Sequence, residues 1–212
     1  MSGTVTISSS YGTDGALIGR EVAERLRVSF FDRAIPVAVA RELAIGTSAA
    51  MEMDWRAPGR MERFLAAMAN MSSPYFAFDA QSEVYSNPDL FRQTTESVLH
   101  HVADGDGGVI IGRGSAVVLR ERQDVLRVRL DGPVETRITQ ASQRRGVDET
   151  TIRSEQEQTD GAREAYMQYF YGASQYDAKL YHVTLDRTVL SRDICIEIVV
   201  SAAIDSLGMS ES

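Results

Sequence analysis

Apolar and polar positions alternate with two different periods along the chain, and the switches between them mark out its elements. Residues 4–8 read Thr, Val, Thr, Ile, Ser, a period-two run dense in β-branched residues that predicts a short strand. A turn-rich stretch over 9–15 follows. From 16 to 26 the apolar positions Ile18, Val22 and Leu26 recur at helical spacing. A second short strand is predicted over 28–31, ending at Asp32, and a helix over 34–45, with Pro36 tolerated in its first turn. Residues 46–88 are apolar yet irregular, rich in methionine (Met51, Met53, Met61, Met68, Met71) and aromatic residues, with a helix predicted over about 60–71.

Pro88 opens the next predicted helix, which runs to about 103 with Asn87 as its cap, and the Asp-Gly-Asp-Gly-Gly sequence at 104–108 is a strong turn signal. Val109-Ile-Ile111 is a continuous apolar run between glycines, as expected of a strand buried on both faces of a parallel sheet, and it ends in Gly112-Arg113-Gly114. A further strand over 125–130 carries Arg127 and Arg129. Pro133 opens a helix through 145, and 147–171 reads as largely helical and polar, in keeping with a lid. The last strand is predicted over 181–185 and a closing amphipathic helix over 190–207. Strands alternating with helices imply βαβ units and a mostly parallel sheet.

Length and composition narrow the class. A chain of 212 residues, 43% hydrophobic and 25% charged, suits one α/β domain with a modest insertion. The formal net charge of -8 argues against a general nucleic-acid binder but leaves a small anionic ligand open. Lys179 is the one lysine among 22 basic residues; the rest are arginine. The single cysteine, Cys195, lies in an apolar run and reads as a buried, inert thiol in a reducing compartment. With no basic-then-apolar leader and no run of membrane-spanning length, the sequence reads as cytoplasmic, with no membrane partner.

The chemistry points to the junction after the first strand. Gly12 and Gly15 sit between strand and helix, where backbone N–H groups and the positive helix end gather around phosphate; a tight turn without a ligand is the competing reading of these glycines. The standard G-x-x-x-x-G-K-[ST] pattern is absent. Arg113 follows a buried strand at the sheet's carboxyl edge, where open α/β folds bind ligands, and reads as a phosphate or base contact or as an ion-pair partner. Asp32, similarly placed, is a ligand contact or a helix N-cap. Arg137, Arg144, Arg145 and Arg153 lie on predicted helices, where most arginines only solvate a face. His100, His101 and His182 form no metal-ligand pattern with Cys195, so no protein metal site is expected.

Several segments together resemble the cytidylate kinase-like family, a divergent branch of the P-loop nucleoside monophosphate kinases. They are the stretch from Thr4 to Gly19 with Val22-Ala-Glu-Arg-Leu26, Phe30-Phe-Asp-Arg33, Val109-Ile-Ile-Gly-Arg-Gly114, Asp160-Gly-Ala-Arg-Glu-Ala-Tyr166, Tyr169-Phe-Tyr-Gly172, Leu180-Tyr-His182 and Leu190-Ser191. The resemblance implies a P-loop NTPase-like three-layer sandwich with a five-stranded parallel sheet, in one domain over 1–212, with an acceptor-binding insertion at about 33–88 and a helical lid at about 146–172. It implies ATP with Mg²⁺ as phosphoryl donor, held at Tyr11, Gly12, Thr13, Asp14, Gly15 and Ala16. Asp32, Arg113 and Arg153 would bind the acceptor, and Arg113 and Arg163 would act in transfer to CMP or another small acceptor.

Departures from the family are specific. Gly15 falls where the phosphate lysine would stand, and Ala16 falls both where the Mg²⁺-binding hydroxyl would stand and where the family's substitute arginine would. Loss of one such charge costs about 3 kcal/mol of transition-state stabilisation, and Arg20, a turn further on, offsets it only in part. Asp14 opposes phosphate unless Mg²⁺ intervenes. Two alternatives follow: a nucleotide-binding sensor or pseudokinase, and a homodimeric interaction protein that buries the methionine-rich region and binds no nucleotide.

Overall fold

The computed structural model describes residues 3–32 and 88–210. The helices expected over 34–45 and 60–71, the methionine-rich stretch, the Asn87 cap and all but the last residue of the expected acceptor region lie outside these residues. The chain begins with β1 (Thr4–Ser9), a loop, α1 (Gly15–Leu26) and β2 (Phe30–Phe31). It resumes with α2 (Pro88–Asp104), β3 (Gly108–Ile111), the short α3 (Ser115–Val118), β4 (Val125–Asp131) and α4 (Val134–Arg145). Last come α5 (Glu149–Tyr171), a 3-10 turn at Ala178–Leu180, β5 (Val183–Asp186) and α6 (Arg192–Leu207).

The five strands form one parallel sheet in the order β2-β3-β1-β4-β5. Ile7 pairs with Ile111 on one side and Val128 on the other, so β1 is central and the crossovers diverge from it. Such a switch point leaves a crevice beyond the carboxyl end of the central strand.

Strand periodicity builds the layers. Val5 and Ile7 of β1, Val109 and Ile111 of β3, and Leu126, Val128 and Leu130 of β4 share one core with Ile18 and Val22 of α1 and Cys195, Val199 and Val200 of α6. Ile110 and Val125, of opposite parity, join Val98, Leu99 and Val102 of α2 and Leu119 in a second core. Helices therefore cover both faces, and the sandwich has the three layers expected. Each fully buried Ile, Leu or Val contributes about 1.5–3 kcal/mol. Burial also pushes the Cys195 thiol up from its ordinary value, as the apolar run around it implies.

Two strands are displaced from their expected spans. β2 keeps only Phe30 and Phe31, because Arg27 turns left-handed (φ 53) and the Arg27 and Val28 amides return to Glu24 and Ala23 carbonyls, so 27 and 28 belong to the helix end. β5 starts at Val183, because the Leu180 and Tyr181 amides close the 3-10 turn.

The β3–α3 junction is the most constrained turn. Gly112, Arg113 and Gly114 are successively left-handed, with φ of 69, 60 and 68. A Cβ on Gly114 would meet the Tyr171 ring at 2.5 Å. We expect Gly114→Ala to destabilise the protein by about 2–4 kcal/mol, adding a left-handed penalty to overpacking against a ring. Urea denaturation measures this, and an unchanged midpoint would show that the ring simply moves aside.

Candidate functional site

The loop after β1 leaves the sheet with a bond from the Ser10 amide to the Leu130 carbonyl at 3.0 Å. Thr13, 1% exposed, folds it back by donating its hydroxyl to the Ser10 carbonyl at 2.8 Å. Gly12 (φ 83) and Asp14 (φ 59) make the left-handed corners. Asp14 stands at the N-cap of α1 but its side chain caps nothing. The helix's first bond runs from the Ile18 amide to the Asp14 carbonyl, so the amides of Gly15, Ala16 and Leu17 have no partner inside the helix. Gly15 lies so close to β1 that a Cβ would overlap Ser9, which explains a glycine there.

Six arginines reach this loop; five of them each take a different residue, and the sixth, Arg145, adds a bond to the Tyr11 phenol. Arg163 of α5 donates to the Ser9 carbonyl (2.7 Å) and Arg129 of β4 to the Ser10 hydroxyl (2.6 Å). Arg137 and Arg144 of α4 donate to the carbonyls of Tyr11 and Gly12, each at 2.6 Å. Arg187, just past β5, donates to the Asp14 carboxylate at 3.0 Å. A trans peptide points its N–H opposite to its C=O, so arginines holding the Tyr11 and Gly12 carbonyls turn the following amides the other way. Asp14, Asp131, Asp160 and Glu155 are the paired carboxylates, fewer than the arginines, which leaves the neighbourhood net cationic despite the acidic chain.

Asp160 anchors the arrangement. Only 3% exposed, it accepts the Tyr11 amide at 2.7 Å, Arg137 at 2.9 Å, Gln156 at 3.0 Å and Arg163 at 3.4 Å. Arg137, 2% exposed, also donates to the Gly132 carbonyl at 2.9 Å. One buried ion pair thus grips the amide and the carbonyl of Tyr11 at once. The Tyr11 phenol reaches Glu155 (2.6 Å) and receives Arg145 (2.5 Å); burial and Glu155 push it up to about 12, so it remains a donor at any working pH. Tyr11 closes the turn against α4 and α5.

The other residues singled out in the sequence divide between two places. Arg113 and Asp32 stand at the carboxyl edge on neighbouring strands, since Phe31 pairs with Ile110. The Arg113 carbonyl meets the Tyr166 hydroxyl at 3.5 Å. Ala16, half-buried in the first turn of α1, supplies no oxygen for a metal. Arg153 is not brought to the loop; it forms a surface pair with Glu135 at 2.5 Å. Arg20 lies over the Phe30 ring, 5.3 Å from its centroid, and Lys179 is exposed on the 3-10 turn. Among the described residues no group of three His, Cys, Asp or Glu residues could hold a metal ion, and no helix is long and apolar enough to cross a membrane.

Arg129, Arg137, Arg144 and Arg187 were not identifiable as loop contacts from helical or strand position alone. One signal pointed to two of them: an aspartate inside a glycine loop needs a cation beside it, and Asp14 has Arg187 at 3.0 Å and Arg144 at 3.7 Å. A buried pair broken on one side typically costs 3–5 kcal/mol. We expect Arg137→Ala to lower stability by about 3 kcal/mol or more, read as the shift in the urea midpoint; a loss below 1 kcal/mol would mean that Asp160 is satisfied by its other donors.

Comparison with known proteins places the chain. The model of the cytidylate kinase-like family matches residues 4–189. No curated protein matches the chain. Among solved structures, an uncharacterized protein from Eubacterium ventriosum superposes with a TM-score of 0.63 at 15% identity, covering 97% of this chain and 99% of that one. A shikimate kinase from Acinetobacter baumannii, in complex with shikimate, gives 0.47 at 13% identity, covering 96% and 93%. A sugar kinase from Janibacter gives 0.47 at 16% identity, covering 99% and 96%. With its parallel sheet, glycine loop and matched span of residues, the chain belongs to the cytidylate kinase-like family.

Proposed function

We infer that the protein binds a nucleoside triphosphate with its phosphates against the loop at 11–16 and transfers a phosphoryl group to a small acceptor, a nucleoside monophosphate such as CMP. The carrying observation is the set of open first-turn amides of α1 at the sheet's carboxyl edge, surrounded by five arginines. Unpaired amides at a helix start and a net positive surround together attract an anion. Asp32 and Arg113 lie further along the same edge, where the acceptor would sit, and Arg163 is the α5 arginine nearest the donor side.

Mg²⁺ belongs to this reading only as part of the nucleotide. Ala16 offers no ligand and Asp14 is engaged by Arg187, so the ion would be carried by phosphate oxygens and water rather than by the chain. Within these limits the chain's own work is to hold the phosphates on backbone amides and to offset their charge. Such positioning makes up most of phosphoryl-transfer catalysis.

A second reading, nucleotide binding without turnover, is favoured by the arginine bonding itself. Each of the five guanidiniums is committed to the loop's own oxygens, which leaves none shown to reach a transferring phosphoryl group as a lysine would.

Calorimetry with MgATP tests binding. Arg144, more than a third exposed, is the arginine whose loss should least disturb the fold, and Arg144→Ala should weaken MgATP about tenfold, because it removes one nearby positive charge and the bond that holds the Gly12 carbonyl. No heat with wild-type protein across a nucleotide panel would end the nucleotide reading. Release of ADP, followed with nucleoside monophosphates as acceptors, separates the two forms. Turnover that falls at least tenfold in Arg113→Ala supports transfer with Arg113 at the acceptor, on the usual scale for one electrostatic stabiliser; binding with no turnover supports the sensor.

A further inference from the structure

The helix expected to act as a lid is fastened to the loop it would have to uncover. Its contacts are a series along one stretch of α5. Glu155 accepts the Tyr11 phenol, Asp160 accepts the Tyr11 amide, Gln156 donates to Asp160 at 3.0 Å, and Arg163 donates to the Ser9 carbonyl. Further along, Tyr166 meets the Arg113 carbonyl and Tyr171 lies beneath Gly114. The central contact is also the most buried, with Arg137 and Asp160 only 2% and 3% exposed.

We propose that α5 is a fixed buttress and that Asp160 is a positioning residue for phosphate binding, acting through the Tyr11 peptide. The reasoning begins with the desolvation of charge. Opening α5 would expose or separate a buried guanidinium–carboxylate pair and break the bonds that Asp160 accepts, so motion of this helix is coupled to loss of the loop's shape. While the pair holds, the N–H and C=O of Tyr11, which belong to successive peptide units, are both fixed. Arg144 fixes the next carbonyl, so the amides beyond are set before any ligand arrives. A loop arranged in advance loses less entropy on binding, and this contribution stands in part for the ammonium group that the sequence lacks. The ligand class is a polyphosphate, and the proposal rests on the nucleotide-binding reading above.

Three measurements on the full chain test it. In wild-type protein without ligand, native-state hydrogen exchange should show the amides of 156–163 opening together with those of β1 and β4; exchange of this segment through a separate, easier opening would overturn the buttress. Next, Asp160→Asn keeps an acceptor for the Tyr11 amide but removes the charge facing Arg137. It should weaken MgATP and inorganic tripolyphosphate by the same factor, about tenfold or more, because the effect lies in the loop rather than in nucleoside contacts.

Affinity equal to or tighter than wild type would overturn the positioning role while leaving nucleotide binding intact. Wild-type protein that binds neither probe would remove the nucleotide reading and this role together. Should Asp160→Asn unfold, Gln156→Ala, which removes one donor to the same carboxylate, replaces it. It should weaken both probes by equal factors, and unequal factors or no loss would count against the proposal. A purely structural role predicts lower stability with unchanged affinity in the molecules that remain folded.

Discussion

A buried ion pair between Arg137 and Asp160 is the constraint on which the candidate site depends. Removing two charges from water is costly, and their attraction compensates only when the remaining hydrogen-bonding groups are also satisfied. Here they are satisfied largely by the loop: Asp160 takes the Tyr11 amide and Arg137 gives to the Tyr11 carbonyl. The pair thus does more than join α4 to α5. It makes the backbone conformation at Tyr11 a condition for burying the charges, so the loop inherits the rigidity of the two helices.

The near-absence of lysine takes on a structural meaning at this point. A guanidinium is a planar fork suited to bridging oxygens held at fixed angles, whereas an ammonium is a compact point charge on a flexible stem. The arginines around the loop bind its own carbonyls, hydroxyl and carboxylate, and would act on a ligand from behind the backbone. At roughly 7 Å and an effective dielectric near 20, one such charge is worth about 2 kcal/mol to a singly charged anion. Nearby aspartates cancel part of that. The remaining attraction is diffuse, which serves binding well, but catalysis gains only from what strengthens in the transition state. The same geometry therefore supports nucleotide binding more strongly than it supports rapid transfer.

The strand, loop and helix at the start of the chain were legible because each follows from local chemistry: period-two β-branched residues, two glycines, then apolar residues four apart. Val109-Ile-Ile111 declared a doubly covered strand for the same reason. What local pattern could not supply was pairing across long separations. Arg137 and Tyr11 are 126 residues apart, and Arg187 and Asp14 are 173 apart. A helical arginine looks the same in sequence whether it faces water or a loop. Arg129 was the nearest to an exception: it alternates into a strand beside the central one, and an inward-facing cation there requires partners, which prove to be Ser10, Asp131 and Gln175. Arg153 shows the converse, an arginine on the expected lid whose partner is the surface residue Glu135.

α5 also relates the two ends of the site. Asp160 fixes the glycine loop, while Tyr166 and Tyr171 line the turn that carries Arg113; between Asp160 and Tyr171 the helix rises about 16 Å. Tyr166 is buried and Tyr171 half-buried, and burial raises both phenols above their ordinary values. A single helix packed at both ends sets the separation of the two regions with little freedom. For phosphoryl transfer a set separation is itself useful, since the reaction needs donor and acceptor oxygens aligned more than it needs covalent help. A helix that stays in place is then compatible with transfer on one condition: donor and acceptor oxygens must meet at the separation that α5 sets.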